Sequence, residues 1–234
     1  HHDFYRIRPE GHNTLVINPT HGPGQGAKAV TRIDPFVSQA DAASATVDLS
    51  PAYKDEAKRL VRKVALVNQR KAAEISDEIE CWEPSVLWWF AHTKAQIALS
   101  GDGRTAMLTM PQADLKAELV EPAHGRFLSM AAAPLPSSPN PDIQNKNSGF
   151  RKLAIVLSNT VKTRLVVRFT PGPAREKIVA GPASLGTDFR PWLEKAALVE
   201  AEAFSGQEGG AVEVTVKVAN SGKSFKGWDN PGHA

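Results

Sequence analysis

Short runs of strand-forming residues recur along this chain of 234 residues, each bounded by Gly, Pro, Asn or Asp. Runs of this length and spacing are typical of antiparallel sandwiches and barrels. Helical periodicity is confined to a short segment from Pro51 to about Lys58, where Ser50 can cap the first turn. We therefore predict an all-β fold. The predicted strands are residues 14–18, 28–33, 44–49, 60–67, 73–80, 85–93, 96–100, 105–110, 113–121, 125–131, 152–158 and 163–169.

The run 86–90, VLWWF, is apolar at every position. Other runs alternate: in 163–169, Leu165 and Val167 share one face, and Arg168 lies on the other. A strand that is apolar throughout must be covered on both faces. We therefore expect a central strand in a large antiparallel β-sandwich of two stacked sheets.

The charge balance and composition exclude several classes of protein. With 28 Lys and Arg against 25 Asp and Glu, the formal net charge is +3, too small to make nucleic acid the expected partner. No run of about 18 apolar residues is present, so a membrane span is not supported. The single cysteine, Cys81, rules out a disulfide within the chain and is expected to be buried and inert.

Two loop regions divide the chain. Residues 133–149 are too rich in Pro, Ser and Asn to hold a strand, and predict a long surface loop of the kind that often lines binding sites. A second Pro- and Gly-rich region follows residue 171. We predict a β-sandwich domain over 1–172, a linker over 173–195 and an incomplete β-module over 196–234. Because neither end resembles a natural terminus, we expect a fragment of a longer protein.

A dense set of polar residues precedes the first apolar strand. Polar groups beside a buried strand are costly unless they bond each other, a metal or a ligand. This segment is therefore the main candidate for a functional site. Its members are Tyr5, Arg6, Arg8, Glu10, His12, Asn13 and Thr14.

The segment RPEGHNTLVIN (8–18) resembles the H-N-T strand entry of the heparinase II/III-like polysaccharide lyases. The order of later segments also fits their carboxy-terminal β-domain: DLSPAY, R-x-V, SDEIE and WWFAHT. The resemblance spans roughly residues 4 to 170. It implies β-elimination of polysaccharides that contain uronic acid, by a periplasmic or extracellular enzyme. In that family the catalytic residues come mostly from an upstream α-helical toroid, on which the β-domain packs. The resemblance therefore implies that this fragment is inactive alone.

The same resemblance suggests roles for residues of the polar segment. His12 matches a zinc ligand that a His and an Asp from further upstream would join; the alternative is a histidine that is simply hydrogen-bonded at a strand entry. Tyr5, Arg6 and Arg8 would lie on the edge that faces the toroid, from which they could reach the sugar, and an arginine fork suits a carboxylate. The alternative is that these arginines are solvated or form an interface.

The tail 198–234 is similar to the opening strands of carbohydrate-binding modules of the galactose-binding-like type. That similarity implies calcium ligands at Glu200 and Glu202, which share one strand face. An ordinary solvent-facing acidic pair is the alternative.

Other candidates have simpler explanations. His21, His92 and His124 lack the short spacing of a metal site and are expected to be ordinary buried or surface histidines. The tryptophans Trp82, Trp88 and Trp89 are best explained by core packing. The main rival to the lyase interpretation is a non-catalytic carbohydrate-binding or scaffold β-protein.

Overall fold

The computed structural model describes residues 3–19, 24–173 and two short strands near the carboxyl end. The chain divides into two compact units, His1–Lys177 and Ile178–Ala234. The first unit contains ten strands and two single turns of 3₁₀ helix, Pro9–Gly11 and Ser50–Ala52. Its strands are β1 (Leu15–Ile17), β2 (Ile33–Ser38), β3 (Ala43–Asp48), β4 (Ala57–Val67), β5 (Ala72–Thr93), β6 (Gln96–Leu99), β7 (Thr105–Thr109), β8 (Asp114–Glu121), β9 (Phe127–Ala131) and β10 (Arg151–Pro171).

The ten strands form one hydrogen-bonded antiparallel sheet, in which eight follow the order β2-β3-β4-β5-β10-β8-β7-β6 and the other two, β1 and β9, pair with β5 and β10. Strands β5 and β10 lie at its centre and, with 22 and 21 residues, are about twice as long as the next longest strand, β4. The first half of β5 pairs with β4 and its second half with β1. Likewise, β10 pairs with β9 near its start and with β8 near its end. The two long strands therefore run through both layers of the fold.

The sheet bends back on itself where the register between β5 and β10 shifts, around Leu157 to Lys162. In this ladder Trp89 lies near one end and Phe169, which pairs with Ala73, lies near the other. Residues 73 and 89 would be about 50 Å apart along a flat strand at about 3.3 Å per residue. The rings of Trp89 and Phe169 nevertheless stack with centroids 6.4 Å apart. The bend thus produces a sandwich from a single sheet.

The main core fills the space between the layers. It draws on both halves of the long strands, with Trp89 and Ile155 from one layer and Ile79 and Val167 from the other. A second, smaller core lies on the other face of the layer that contains β1. It consists of Val16, Phe90, Ala154 and Leu135, so part of the loop 133–149 covers this face. Both faces of the apolar run 86–90 are therefore occupied, as predicted for a central strand.

The all-β prediction is confirmed, with three local corrections. The helix expected from Pro51 is wrong: only one 3₁₀ turn forms before β4 begins at Ala57. Ser50 bonds the backbone N–H of Leu60 across the turn, at 2.9 Å, and Asp48 at 2.5 Å, instead of capping a helix. The strand expected at 28–33 is displaced and begins at Ile33. The runs 73–80 and 85–93, predicted as separate strands, form one continuous strand, and so do 152–158 and 163–169.

Single residues follow the predictions in part. Cys81 is fully buried, and burial raises the pKa of its thiol, as expected of an inert cysteine. Trp89 is a core residue, but Trp82 is 55% exposed, its indole N–H donating to the Lys54 carbonyl at 2.9 Å. Core packing is therefore the wrong explanation for Trp82. His124 is exposed, as an ordinary surface histidine would be.

The second unit is described only at two strands. β11 (Val216–Lys217) and β12 (Ser224–Phe225) form an antiparallel pair. The linker over 173–195 lies almost wholly outside the described residues, as do Glu200 and Glu202. The predicted domain limits and the carbohydrate-binding module stay predictions. No helix in the described part of the chain has both the length and the apolar character that a membrane crossing requires.

Candidate functional site

The polar segment 3–14 lies beside β5 and the loop 133–149, where a 3₁₀ turn at Pro9–Gly11 leads it into β1. The turn requires a glycine, because a Cβ on Gly11 would clash with the Tyr5 carbonyl. β1 then pairs with β5, placing Leu15 opposite Trp89. This pairing fixes the position of the segment against the sandwich.

A chain of hydrogen bonds links Tyr5, His92 and Asn13. The Tyr5 hydroxyl lies 2.6 Å from His92 Nε2, and His92 Nδ1 lies 3.2 Å from Asn13 Oδ1. That oxygen also accepts the backbone N–H of His92 at 2.7 Å. Because an amide oxygen only accepts, Nδ1 carries the proton and Nε2 accepts from Tyr5. The neutral tautomer of His92 is therefore set by Asn13.

A buried ion pair lies on the same segment. Arg8 Nε is 3.4 Å from Glu10 Oε1, and both side chains are almost fully buried. The other carboxylate oxygen accepts from Ser138 Oγ at 2.9 Å and from the Leu135 N–H at 3.3 Å. Glu10 therefore fastens the loop 133–149 to the polar segment.

Lys152 completes the buried part of the site. Its Nζ donates to the Ala133 carbonyl at 2.9 Å and lies 4.4 Å from the Phe90 ring centre and 5.1 Å from that of Tyr5. Aromatic faces attract a desolvated cation. Lys152 thus joins β10 to both the loop and the polar segment.

Burial dominates the electrostatics of this cluster. It lowers the pKa of His92 to about 4, and the charges of Lys152 and His12 act in the same direction. It also lowers the pKa of Lys152 to about 8, although the Glu10 carboxylate opposes this shift. The pKa of Tyr5 is raised, first by burial and then by Glu10. At neutral pH the Tyr5–His92 contact is therefore between uncharged groups.

Two cavities border the site. The larger, of about 500 Å³, lies between the layers; Asn13 and His92 line it together with apolar residues such as Trp89 and Phe169. The smaller, of about 320 Å³, is lined by residues 132–134, 140–142 and 144–146. The polar segment therefore lies between the larger cavity, which is mainly apolar, and the smaller cavity, which is polar.

The structure places the predicted site residues differently from one another. Tyr5 and Arg8 are 2% and 3% exposed, so their side chains belong to the interior of the cluster. Arg6 is exposed, and its Nε donates to Asn147 Oδ1 at 2.6 Å. The substrate-binding role expected for these three residues stays a prediction.

His12 is exposed, and its imidazole makes no hydrogen bond within the residues that the structure describes. No group of three His, Cys, Asp or Glu side chains suited to a metal occurs in that part of the chain. The described residues thus do not themselves complete a zinc shell around His12. The zinc and calcium expectations stay predictions.

Three residues of the cluster were not predicted from the sequence: His92, Lys152 and Asn147. For Lys152 a signal existed, since it shares a strand face with Ala154 in a run that is apolar on both faces. A lysine on a covered face must reach polar partners. No comparable signal marks Asn147, which lies in an irregular loop.

The protein is thus an all-β sandwich. Beside its central strand, the polar segment is hydrogen-bonded to the loop 133–149. Solved structures of polysaccharide lyases share this fold. A heparinase III, the BT4657 gene product, matches with a TM-score of 0.55 and 13% identity, covering 72% of this chain and 25% of that enzyme. For the heparan sulfate lyase HepC from Pedobacter heparinus the TM-score is 0.52 and the identity 12%, over 70% and 24%.

This chain thus spans about a quarter of the length of these two lyases. At such identities the likeness shows the fold alone, and at that level the predicted resemblance to heparinase-type lyases is confirmed. No model of a known protein family matches the sequence, and none of the curated proteins does.

Proposed function

We propose that this chain is the β-sandwich part of a polysaccharide lyase that cleaves uronic-acid-containing polysaccharide by β-elimination. The catalytic residues would come mostly from an upstream α-helical domain, which packs against the edge formed by the polar segment. The proposal places the enzyme in the periplasm or outside the cell, where such polymers occur.

The observation that carries the proposal is the fastening of the polar segment. Glu10 and Tyr5 bond it to the loop 133–149 and to β5, while Arg6 and His12 remain exposed. Buried polar contacts that hold exposed cationic and imidazole groups in place are typical of a preorganised site. The fold shared with a heparinase III and with a heparan sulfate lyase supports the same proposal.

The chemistry requires groups that the described cluster does not offer to a substrate. Removal of the proton at C5 of a uronate needs an accessible base and a group that neutralises the carboxylate. Tyr5 is buried and its pKa is raised, so it is not poised as a base. The cluster is instead suited to bind and orient the sugar, with proton transfer supplied from elsewhere in the longer protein.

The test uses the longer protein encoded by the gene. Incubation with heparan sulfate, alginate and other uronate polymers should release unsaturated oligosaccharides, detected by their ultraviolet absorbance. The residues upstream should include a helical region with Asn, His and Tyr motifs and an H-x-H element. A signal peptide directly before this segment would contradict the proposal and favour a non-catalytic carbohydrate-binding protein.

The zinc proposal concerns the same longer protein. His12 would be one ligand, joined by a His and an Asp from upstream, with neutral imidazole and carboxylate forming a suitable shell. Elemental analysis should find zinc in the native protein and less in His12→Ala. Equal zinc in both would exclude His12. The calcium proposal for Glu200 and Glu202 is tested in the same way, with the double Gln variant.

A further inference from the structure

Asn147 holds a position that is fixed independently of Arg6. Its side chain is buried, and its Nδ2 donates to the Ala132 carbonyl at 2.9 Å. Its backbone N–H donates to Asn145 Oδ1 at 2.8 Å, and its φ of 51° lies in the left-handed region that asparagine tolerates. The Oδ1 atom that accepts from Arg6 is therefore anchored to the protein interior.

Within the described residues, one of the three nitrogens of the Arg6 guanidinium makes a hydrogen bond. Nε donates to Asn147 Oδ1 at 2.6 Å, and within the described part of the chain the two terminal nitrogens have no partner. The side chain is exposed. A carboxylate is bound most strongly by two parallel N–H bonds of a guanidinium. Arg6 thus presents an oriented and unoccupied fork.

The smaller cavity adjoins the residues that hold Arg6, although Arg6 does not itself line it. Two of its lining residues are bonded to the same local structure: Gln144 accepts the Tyr5 N–H at 3.0 Å, and the carbonyl of Ala132 accepts from Asn147. The remaining wall offers amide, carboxylate and ammonium groups from Asn140, Asp142 and Lys146. Such groups match sugar hydroxyls, and the volume of about 320 Å³ falls in the range of small-ligand sites.

We propose that this cavity is a subsite for one uronate residue, whose carboxylate binds Arg6, and that Asn147 is the positioning residue that orients Arg6. The inference rests on the proposed function and deepens it, because it assigns recognition to the carboxylate and not to a sulfate group. It also separates Arg6 from Tyr5 and Arg8, whose buried side chains hold the segment in place.

The test compares two forms of one ligand. The 234-residue chain is titrated by calorimetry with a heparan sulfate oligosaccharide and with the same oligosaccharide after reduction of its carboxylates to alcohols. Arg6→Gln should weaken binding of the native ligand roughly tenfold or more and leave binding of the reduced ligand nearly unchanged. Arg59→Gln, which removes an exposed arginine on β4, is the matched control and should change neither affinity.

The role of Asn147 is tested through its coupling to Arg6. Asn147→Gly suits the left-handed backbone and removes the acceptor, so it should weaken binding of the native ligand several-fold when Arg6 is present. In an Arg6→Lys background the same change should have little further effect, because an ammonium has no fork to orient. A merely structural role would weaken binding equally in both backgrounds. Circular dichroism establishes that each variant is folded.

Failure of the inference is distinguishable from failure of the proposed function. The inference is overturned if the chain binds neither ligand, if Arg6→Gln weakens both ligands equally, or if Asn147→Gly acts equally in both backgrounds. Each of these results leaves the lyase proposal standing if the longer protein releases unsaturated products. Carboxylate-dependent binding through Arg6 without any such product would support the subsite and contradict the lyase.

Discussion

Single residues carry most of the contacts between the polar segment and the sandwich. Glu10 receives two hydrogen bonds from the loop 133–149 and pairs with Arg8, all in a buried setting. A buried charge is tolerated only when it is paired and hydrogen-bonded. The stability of the site therefore depends strongly on this one carboxylate.

Replacing Glu10 by Gln should reduce the free energy of unfolding by about 3–5 kcal/mol, because it breaks the buried ion pair between Glu10 and Arg8. Urea denaturation measures the loss. Glu121→Gln is the control: Glu121 also pairs with an arginine, Arg164, but both side chains are nearly half exposed, and the loss should be below about 1 kcal/mol. Equal losses in the two variants would contradict the importance of burial.

Acid should weaken the fold through His92. Its pKa is about 4 in the folded chain and about 6.5 in an unfolded one, so between these values the unfolded state binds more protons. The stability contributed by neutral His92 is thus complete above about pH 6.5 and is lost as the pH falls toward 4.

The measurement is the urea midpoint as a function of pH for the native chain and for His92→Gln. The native midpoint should fall more steeply between pH 6.5 and 4 than that of the variant, because the glutamine does not titrate. The carboxylates common to both proteins cancel in the comparison. Parallel curves would show that His92 keeps its ordinary pKa.

At the scale of elements, the sequence predicts strands well and their continuity poorly. Six of the ten strands of the first unit lie within two residues of their predicted bounds, β8 and β9 among them. The gaps between the predicted runs, 81–84 and 159–162, contain Pro84 and Asn159, residue types that ordinarily mark turns. In the structure both lie at the bend of the sheet, where a register shift accommodates them. The local sequence identifies an interruption of the strand pattern, but it does not show whether the chain reverses direction at that point.

The bend can be probed at Asn159, whose φ is 52°. Asn159→Val should lower the free energy of unfolding by about 1–2 kcal/mol, because a branched side chain clashes in the left-handed region. Asn159→Gly removes the same side chain amide without that strain and should stay within about 0.5 kcal/mol of the native chain. Equally destabilised Val and Gly variants would mean that the amide, and not the backbone, is important.

At the scale of the whole molecule, the two layers are held together by the core that the bend creates. The stacking of Trp89 on Phe169 joins the far ends of the β5–β10 ladder across this core. The alternation of apolar residues predicted such a core, since it requires a second layer. The sequence did not reveal that the second layer is the same sheet, because pairing partners distant in sequence leave no local pattern.

Phe169→Ala should lower the free energy of unfolding by about 2–4 kcal/mol, somewhat less than for a fully buried phenylalanine. Phe36→Ala, at a residue that is 70% exposed on β2, is the control and should change stability by about 0.5 kcal/mol or less. Urea denaturation followed by circular dichroism measures both. A small effect of Phe169→Ala would mean that the aromatic stack contributes little to holding the layers together.

The candidate site could be only partly predicted for a similar reason. The polar segment was found because its residues are adjacent in the chain. Its partners His92, Asn147 and Lys152 lie from 80 to more than 140 positions away, and only the fold brings them together. The sequence alone identifies the site residues that are adjacent in the chain, and the structure is needed to identify the distant ones.

Because β5 and β10 pass from one layer into the other, the sandwich has no seam along which its halves could separate. Opening either layer would break β5–β10 hydrogen bonds on which the other layer also depends. The amide protons of both halves of these strands should therefore exchange with solvent at one common, slow rate. Force applied by a polymer bound beside the polar segment would then be resisted by the whole domain and not by a single hairpin.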